Sequence, residues 1–480
     1  MNYRIILRIL SFLLLFEAVF MLVPAGTAFI YGESQGFYFL LPMGICAVVG
    51  GLGLLVKPKK QAMYAKEGFV VVALSWILMS IFGALPFYLS GSIPKYIDAL
   101  FETVSGFTTT GASILSGEKI EAMPNCMLIW RSFTHWIGGM GVLVFIMAVL
   151  PMNGNKNFHL MNAESPGPTV TKLVPKMRST AGILYVIYSA LTMLQILFLL
   201  FDVSLFEAVN IAFSTAGTGG FGIKGDSLAG YSPYTQVVVT VFMFLFSINF
   251  ACYFLLFCGR FKEAWNSEVK VFSGIVVTAI VLITLNVYFT MDTYTFGETV
   301  RYTAFSVVSI ISTTGFYTAD FAVWTAFSQA MLVVLMFIGA CAGSTGGGIK
   351  VSRVAILYKG ATHEMKRRLH PHQVKKITMD GRIVEHEVVR GINAYIVAYV
   401  LIYVISMLIL SLDCQDLLTD FTAIAATLNN VGPGLGAVGP TGNFAFYNVW
   451  SKLVFIFDML AGRLEIFPML LLFAPATWHK

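Results

Sequence analysis

The sequence predicts an all-α integral membrane protein made of four similar helix–loop–helix repeats and two extra N-terminal helices. Its 480 residues are 57% hydrophobic and only 12% charged, whereas soluble domains carry about 25% charged residues. Several long segments contain no Asp, Glu, Lys or Arg, as expected for helices that cross about 30 Å of hydrocarbon. A short motif that ends in glycine also recurs four times, at intervals of roughly 100 residues.

Two predicted spans precede the repeats. The first covers residues 9–31. Glu17 interrupts this run, and the apolar character continues past the small residues at 25–28, which favours a retained helix over a cleaved signal peptide. The second span covers residues 37–56 and ends at the lysine-rich segment 57–60. Because loops rich in Lys and Arg lie on the cytoplasmic side of a membrane, we expect this segment to be cytoplasmic.

The repeats supply eight more predicted spans, which brings the expected total to ten transmembrane helices. They cover residues 68–90, 128–150, 181–201, 234–258, 271–290, 324–357, 392–412 and 447–473. Basic residues follow every second span, so both termini are expected to be cytoplasmic. The basic loops also explain the net charge of +6 better than nucleic-acid binding does, because no aromatic residues are interleaved with them. The expected divisions are 1–62 for the N-terminal helices, 63–160, 161–262, 263–360 and 391–480 for the four repeats, and 361–390 for a basic cytoplasmic loop.

The glycine-ended motif lies between the two spans of each repeat. Its apolar leader is about ten residues long, too short to cross the hydrocarbon at 1.5 Å per residue, so the segment must enter and leave by the same face. Irregular backbone at that depth is tolerated only inside protein or beside a water-filled cavity. Four pore loops that meet on one axis satisfy this condition together, with pseudo-fourfold symmetry.

The residues at the ends of these loops suit the passage of a dehydrated cation. Backbone carbonyls can replace a hydration shell without trapping the ion, and glycine allows four chains to approach closely. The predicted cation-binding residues are Thr109, Thr110 and Gly111; Thr215, Ala216 and Gly217; Thr313, Thr314 and Gly315; and Asn430, Val431 and Gly432. A single Thr- and Gly-rich patch is more often a contact between packed helices. Four such patches at matching positions in the repeats favour a selectivity filter.

The register of repeat two is ambiguous in the sequence. Gly219 and Gly220 follow Gly217, and each could end the motif. The spacing from Phe206 to Gly217 equals the spacing from Phe421 to Gly432, so we predict Gly217.

Four motifs resemble the Trk/Ktr/HKT superfamily, and most closely its TrkH branch of bacterial potassium uptake subunits. They are residues 97–111, 130–141, 342–350 and 462–468. The resemblance extends over essentially the whole chain, including the two N-terminal helices. It implies four helix–pore-loop–helix repeats around one pore, a homodimer in the inner membrane, and a cytosolic TrkA-like nucleotide-binding regulatory subunit. In plant members, Ser in place of the first filter Gly accompanies sodium transport. The four glycines of this chain therefore imply potassium as the substrate.

A second glycine-rich run lies within the predicted span of repeat three, and it consists of Gly343, Ser344, Thr345, Gly346, Gly347, Gly348 and, after Ile349, Lys350. Its spacing does not match a phosphate-binding loop. Because each glycine costs a helix about 1 kcal/mol relative to alanine, we predict a break that serves as a movable constriction below the filter. The resemblance places an intramembrane gating loop here. A static kink is the alternative.

Arg463 lies within the last apolar span, where an ionisable residue is expensive and is by default a functional hypothesis. A guanidinium at this depth would repel cations and could donate hydrogen bonds to carbonyls of the broken helix. The resemblance places the matching arginine beside the gating loop. A structural ion pair with Glu465 is the alternative. Arg131 and His135 share one helix face, and we expect His135 to be a packing residue.

Two other classes of function, a secondary symporter and a membrane-embedded enzyme, predict different sequence features. A secondary symporter with sodium or proton coupling would have inverted repeats and paired broken helices, whereas here the repeats share one orientation and we expect only one broken helix. A membrane-embedded enzyme would need clustered acidic ligands or a nucleophile with its base, and the sequence contains no such cluster. The sequence therefore predicts a transport protein with no bound cofactor.

Overall fold

The computed structural model describes residues 1–56, 64–141, 177–291, 293–370 and 376–478. These residues are mainly helical, with irregular segments between the helices. The described strands form one short antiparallel hairpin, in which Thr378–Met379 pairs with Arg382–Ile383 between repeats three and four. The predicted basic segment at 57–60 and residues 142–150 of the 128–150 span lie outside the described residues.

Among the described residues, six helical segments are long and apolar enough to cross a membrane. They are the two N-terminal spans and the first span of each repeat: Tyr3–Tyr31, Ser34–Leu54, Ala65–Leu89, Ser179–Leu199, Ser267–Thr290 and His386–Asp413. Each overlaps a predicted span, so the expected all-α membrane fold is confirmed.

The helices of the N-terminal pair and of the first two repeats follow the predicted order. The N-terminal pair comprises Tyr3–Phe20, Leu22–Tyr31, the 3₁₀ turn Ser34–Phe39 and Leu40–Leu54. Repeat one comprises Ala65–Gly83, Leu85–Leu89, Tyr96–Phe107, Gly117–Glu121 and Asn125–Gly139. Repeat two comprises Met177–Leu199, Leu205–Ala216, Pro233–Phe246, Phe250–Phe257 and Phe261–Ala264.

Repeats three and four follow the same plan. Repeat three comprises Ser267–Thr290, Phe296–Ile311, the 3₁₀ turn Phe321–Val323, Ala326–Phe337 and Val351–Leu369. Repeat four comprises His386–Leu410, the 3₁₀ turn Ser411–Asp413, Leu417–Leu428, the 3₁₀ turn Gly436–Val438, Val449–Arg463, Phe467–Phe473 and Pro475–Trp478.

One short helix in each repeat lies between the two longer ones. These four short helices are Tyr96–Phe107, Leu205–Ala216, Phe296–Ile311 and Leu417–Leu428. A 12-residue helix spans only about 18 Å, so none of the three 12-residue members can cross a bilayer. In repeats two and three a capping box starts the short helix: Ser204 and Thr295 each accept a hydrogen bond from the backbone N–H of a glutamate three residues on.

Within the described residues the second helix is broken in repeats two, three and four, so the expectation of a single broken helix is wrong. Repeat two bends by 89° between Phe246 and Phe250. Repeat three is interrupted by residues 338–350, as predicted, and repeat four breaks between Arg463 and Phe467. Only repeat three has a glycine run at the break. The other two breaks depend on hydrogen bonds to distant parts of the chain, which are described below.

Candidate functional site

The four turns that follow the short helices share one backbone conformation. The first residue of each turn has a φ of 55–58°, which is uncommon for a residue with a side chain: Thr109, Thr218, Thr313 and Asn430. Two residues later each turn has a glycine with a φ of 74–97°: Gly111, Gly220, Gly315 and Gly432. We call these four three-residue turns the tips. Because the same rare conformation occurs at the same place in every repeat, the tips are structurally equivalent.

Matching hydrogen bonds fasten each tip to its short helix. The backbone N–H of the middle residue of each tip donates to the carbonyl five residues earlier, at 2.8–2.9 Å: Thr110 to Ser105, Gly219 to Ser214, Thr314 to Ser309 and Val431 to Ala426. These bonds satisfy carbonyls that the end of a helix would otherwise leave unpaired.

The tip of repeat two is Thr218–Gly220, so the predicted residues Thr215, Ala216 and Gly217 are corrected. Thr215 and Ala216 lie in the short helix, and Gly217 caps it with a φ of −69°. The spacing argument failed because the two phenylalanines are not equivalent. Phe206 is the second residue of its helix and Phe421 the fifth of another, although both helices have 12 residues.

The four tips close into a ring. Each final glycine lies directly against the middle residue of the tip in the next repeat, and a Cβ on any of the four would collide with that residue's carbonyl oxygen or come within 2.7 Å of it. The order is cyclic: Gly111 meets Gly219, Gly220 meets Thr314, Gly315 meets Val431, and Gly432 meets Thr110. Four backbone carbonyls from four repeats therefore surround one centre, and only glycine fits between them.

A cavity of about 140 Å³ lies against one side of the ring. All four tip glycines line it, together with residues that follow the tips, among them Phe221, Tyr317 and Phe444. The chain therefore forms a small cavity at the final glycines of the four tips.

A buried ion pair braces the first tip. Arg131 donates to Glu102 on the short helix of repeat one, at 2.7 Å. Glu102 also accepts hydrogen bonds from the hydroxyl of Ser113, at 3.0 Å, and the backbone N–H of Ile114, at 3.1 Å. The pair thereby ties the chain that leaves the tip to the helix that enters it. Two opposite charges in predicted apolar segments were the available sequence signal, since charges at membrane depth are normally paired.

His135 is a packing residue, as predicted, and it lies behind the second tip. Its imidazole is fully buried and stacks on Phe221 with ring centroids 4.2 Å apart. A Cβ on Gly219 would lie 2.5 Å from three atoms of this ring. In the other repeats the middle tip residue carries a side chain: Thr110, Thr314 or Val431. The imidazole therefore fills the space that this side chain would need in repeat two.

Residues 338–350, which we call the glycine-rich loop, lie beneath the tips of repeats three and four. The backbone N–H of Gly347 donates to Thr313 Oγ1 at 2.6 Å. A Cβ on the same glycine would lie 2.9 Å from the Cβ of Asn430, and one on Gly346 would lie 2.9 Å from the carbonyl oxygen of Ser312. The loop therefore lies against the ring on the side of these two repeats, where only glycine fits.

Two cationic side chains engage three successive carbonyls of this loop. Arg463 donates to Thr345 at 2.7 Å, and Lys350, which is only 2% exposed, donates to Gly346 and Gly347. Arg463 also donates to the carbonyls of Gly138 and Gly139 in repeat one, at 2.5 and 2.6 Å. The loop, the first repeat and the last repeat are thus joined at one place that carries positive charge.

Glu465 lies at the break in the second helix of repeat four. Glu465 forms its ion pair with Arg353, which follows the glycine-rich loop. It also has a φ of 57°, and the next residue, Ile466, one of 68°. The ion pair therefore holds the strained break of repeat four against the start of helix Val351–Leu369. In the described part of the chain, no three His, Cys, Asp or Glu side chains converge in a way that could hold a metal ion.

Comparisons with known proteins agree with this architecture. A family described as "TrkH: Cation transport protein" matches residues 39–480. The Trk system potassium uptake protein TrkH of Escherichia coli K12 is 36% identical, with both chains fully covered. TrkG of the same strain is 31% identical, over all of this chain and 99% of its own.

The crystal structure of the potassium transporter TrkH from Vibrio parahaemolyticus superimposes with a TM-score of 0.90 at 33% identity, and both chains are fully covered. These relatives are named as transport proteins and not as enzymes. The chain belongs to the TrkH family of cation transport proteins.

Proposed function

We propose that this protein takes up potassium across the cytoplasmic membrane, with the ring of tips as its selectivity filter. The closed ring of four carbonyls, contributed by Thr110, Gly219, Thr314 and Val431, is the observation that supports this most directly. Carbonyl oxygens replace the hydration shell of potassium without a carboxylate's strong hold, which suits passage. The names of the relatives, which are potassium uptake proteins, point to the same ion.

The membrane potential is a sufficient driving force for this uptake. A potential of 100 mV is worth about 2.3 kcal/mol for each elementary charge that crosses the membrane. Since 1.4 kcal/mol corresponds to a factor of ten, this potential supports an accumulation of roughly 50-fold. The proposal therefore needs no chemical fuel and no second ion.

The glycine-rich loop is the proposed gate. It occupies the space beneath two tips, and Arg463 and Lys350 place positive charge on its carbonyls, which disfavours a cation there. Helix Val351–Leu369 begins directly after the loop and ends in the basic residues Lys366, Arg367 and Arg368. A cytosolic TrkA-like nucleotide-binding partner that moves this helix would displace the loop. The homodimer and the cytoplasmic position of both termini are further parts of the proposal.

Growth on limiting potassium tests the proposed function. A host that lacks its own potassium uptake systems would carry the full chain together with its cytosolic partner. We expect the intact chain to restore growth, and a chain without Gly346–Gly348 to raise potassium flux in liposomes even without the partner. Absence of rescue by protein that is present in the membrane would contradict potassium uptake.

Coupled symport is the second candidate, because broken helices in three repeats are also a feature of transporters with a midplane site. Liposomes with equal potassium on both sides and no membrane potential separate the two mechanisms. A symporter would accumulate potassium when a sodium or proton gradient is imposed. The proposed filter and gate predict no accumulation under those conditions.

A further inference from the structure

We propose that Thr313 couples the selectivity filter to the gate through its hydroxyl group, a role that the three equivalent tip residues do not share. This inference rests on the proposed function of the ring and of the glycine-rich loop. It concerns one positioning residue, which acts on ion passage through the loop that it holds.

The first tip residues use their side chains differently. In repeats one and two the hydroxyl donates to the preceding carbonyl of the same turn: Thr109 to Thr108 at 2.7 Å, and Thr218 to Gly217 at 2.6 Å. In repeat three, Thr313 Oγ1 instead accepts the backbone N–H of Gly347 at 2.6 Å. The ring therefore makes this hydrogen bond to the glycine-rich loop on one side only, at repeat three.

The fourth tip has a different partner. Asn430 donates through Nδ2 to Thr110 Oγ1 and to the carbonyl of Met459, both at 2.9 Å. Its amide therefore links two tips and the second helix of repeat four. Contact between Asn430 and the glycine-rich loop is a matter of close packing, since a Cβ on Gly347 would lie 2.9 Å from its Cβ. This leaves Thr313 as the tip residue whose hydrogen bond depends on the position of the loop.

Displacement of the loop would change the environment of Thr313 directly. Gly347 is held on both sides, by Thr313 at its N–H and by Lys350 at its carbonyl. When the loop moves away, Thr313 loses this N–H and its side chain can rotate so that the hydroxyl donates to the carbonyl of Ser312, as its equivalents do in repeats one and two. Gly346 covers that carbonyl in the present conformation. The open protein would then have the same hydroxyl arrangement in three of its four tips.

The exchange of partners links filter and gate in both directions. Thr313 has a φ of 58°, and an uncommon conformation of this kind persists only where its surroundings hold it. Thr109 and Thr218 keep a similar φ without the loop, so departure of the loop changes the side-chain contacts of Thr313 and not its turn, one residue before a carbonyl of the ring. Because such coupling is reciprocal, a change that weakens the bond must favour the displaced loop. A buried N–H that loses its acceptor is unfavourable, which gives the sign of the effect.

Flux of rubidium into liposomes, measured with and without the cytosolic partner, tests this role. Thr313→Val preserves the shape of the side chain and removes the acceptor. We expect its partner-independent flux to rise at least tenfold, so that the ratio of flux with and without partner falls by a similar factor. Thr313→Ser retains the hydroxyl and should keep most of the wild-type ratio. Thr313→Ala removes the acceptor by a second route if the valine variant is poorly folded.

Thr109→Val and Thr218→Val are the matched controls, since they make the same change at equivalent tips whose hydroxyls do not bond to the loop. We expect them to reduce flux both with and without partner. If Thr313→Val and Thr313→Ala behave like these controls while deletion of Gly346–Gly348 raises flux, the coupling role is overturned and the gate stands. If neither the wild type with partner nor the deletion conducts rubidium, the proposed function itself fails.

Discussion

Gly111 is required by its neighbour as well as by its own turn. Its φ of 78° favours glycine, and a Cβ would also collide with the carbonyl oxygen of Gly219 in the next repeat. Gly91 provides a comparison, because it has a φ of 73° but faces open space. Strain in the turn and disturbance of the ring can thus be separated at these two positions.

We expect Gly111→Ser to reduce selection of potassium over sodium about tenfold, which corresponds to ~1.4 kcal/mol. Gly91→Ser has a similar backbone cost but should leave selectivity unchanged. Competing rubidium and sodium fluxes in liposomes provide the measurement. Wild-type selectivity in Gly111→Ser would mean that the first tip does not contribute to the filter.

His135 and Gly219 form a pair that a double-mutant cycle can measure. A Cβ on Gly219 meets three atoms of the imidazole, and no positive φ disfavours a side chain at this position. We therefore expect Gly219→Ala to lower the thermal stability of the protein in detergent. In the His135→Ala background, where the ring is absent, the same substitution should cost much less.

Residues in contact show interaction free energies of about 0.5–3 kcal/mol in such cycles, and we expect a value in this range. Purely additive effects on stability would show that the imidazole does not occupy the place of a tip side chain. Recovery of potassium flux in the double variant, relative to Gly219→Ala, would give independent support.

At the level of helices, the breaks in the second helices are stabilised by one another. The broken end of repeat two donates and accepts hydrogen bonds with the glycine-rich loop: Cys341 N–H to the Ser247 carbonyl, and Phe250 N–H to the Gly343 carbonyl, both at 3.1 Å. These bonds replace the intrahelical ones that a bend removes. The hydrogen-bond partners lie about a hundred residues away in the chain. The local sequence of repeat two therefore does not predict the break.

Asn249 connects a helix start to this arrangement. Its side chain accepts the N–H of Ala251 at 2.9 Å, and a Cβ on Gly343 would lie 2.9 Å from its Oδ1. We expect Asn249→Ala to cost about 1 kcal/mol, as for other N-caps, and also to raise partner-independent flux. Asn266→Ala is the control, since Asn266 caps another helix through Val269, at 3.0 Å.

The control should lose similar stability, seen as a lower unfolding temperature, without any increase in flux. If the two variants had the same partner-independent flux, the cap at Asn249 would have no influence on the gate.

Arg463 joins three parts of the molecule, since it donates to carbonyls of the glycine-rich loop and of repeat one from repeat four. Gln can replace part of the hydrogen bonding but carries no charge. We expect Arg463→Gln to raise partner-independent rubidium flux about tenfold or more in liposomes, and Arg463→Lys to have an intermediate effect, because lysine lacks the planar fork.

Arg260→Gln provides the matched control for charge removal. Arg260 is exposed and pairs with Glu263 on the surface, and such pairs contribute about 0–1 kcal/mol. Its flux should equal that of the wild type. A tightly closed Arg463→Gln protein would instead favour a purely structural role for this arginine.

At the scale of the whole molecule, the sequence predicted what depends on composition and repetition. The six continuous spans, the position of three tips and the break in repeat three all follow from hydropathy, glycine content and the fourfold recurrence. The remaining features depend on contacts between repeats. The register of repeat two follows from the ring that Gly220 closes, and the breaks near Asn249 and Glu465 follow from partners elsewhere in the chain.

The candidate site also combines features that the sequence predicted with features that depend on contacts between repeats. Arg463 was predicted from its unusual position in an apolar span and Lys350 as the end of the glycine-rich run, and both side chains donate hydrogen bonds to the glycine-rich loop. The use of Thr313 as an acceptor and the imidazole behind Gly219 were not predictable, because equivalent positions in the repeats have similar sequences but different neighbours.

The location of bound ions tests the central claim, which is that one cation is bound by carbonyls from all four repeats. A density map of the protein in rubidium or thallium salts, compared with one in sodium, provides this measurement. We predict ion density on the axis of the ring, within contact distance of the carbonyls of Thr110, Gly219, Thr314 and Val431. Ion density elsewhere in the molecule, with none at the ring, would contradict the account.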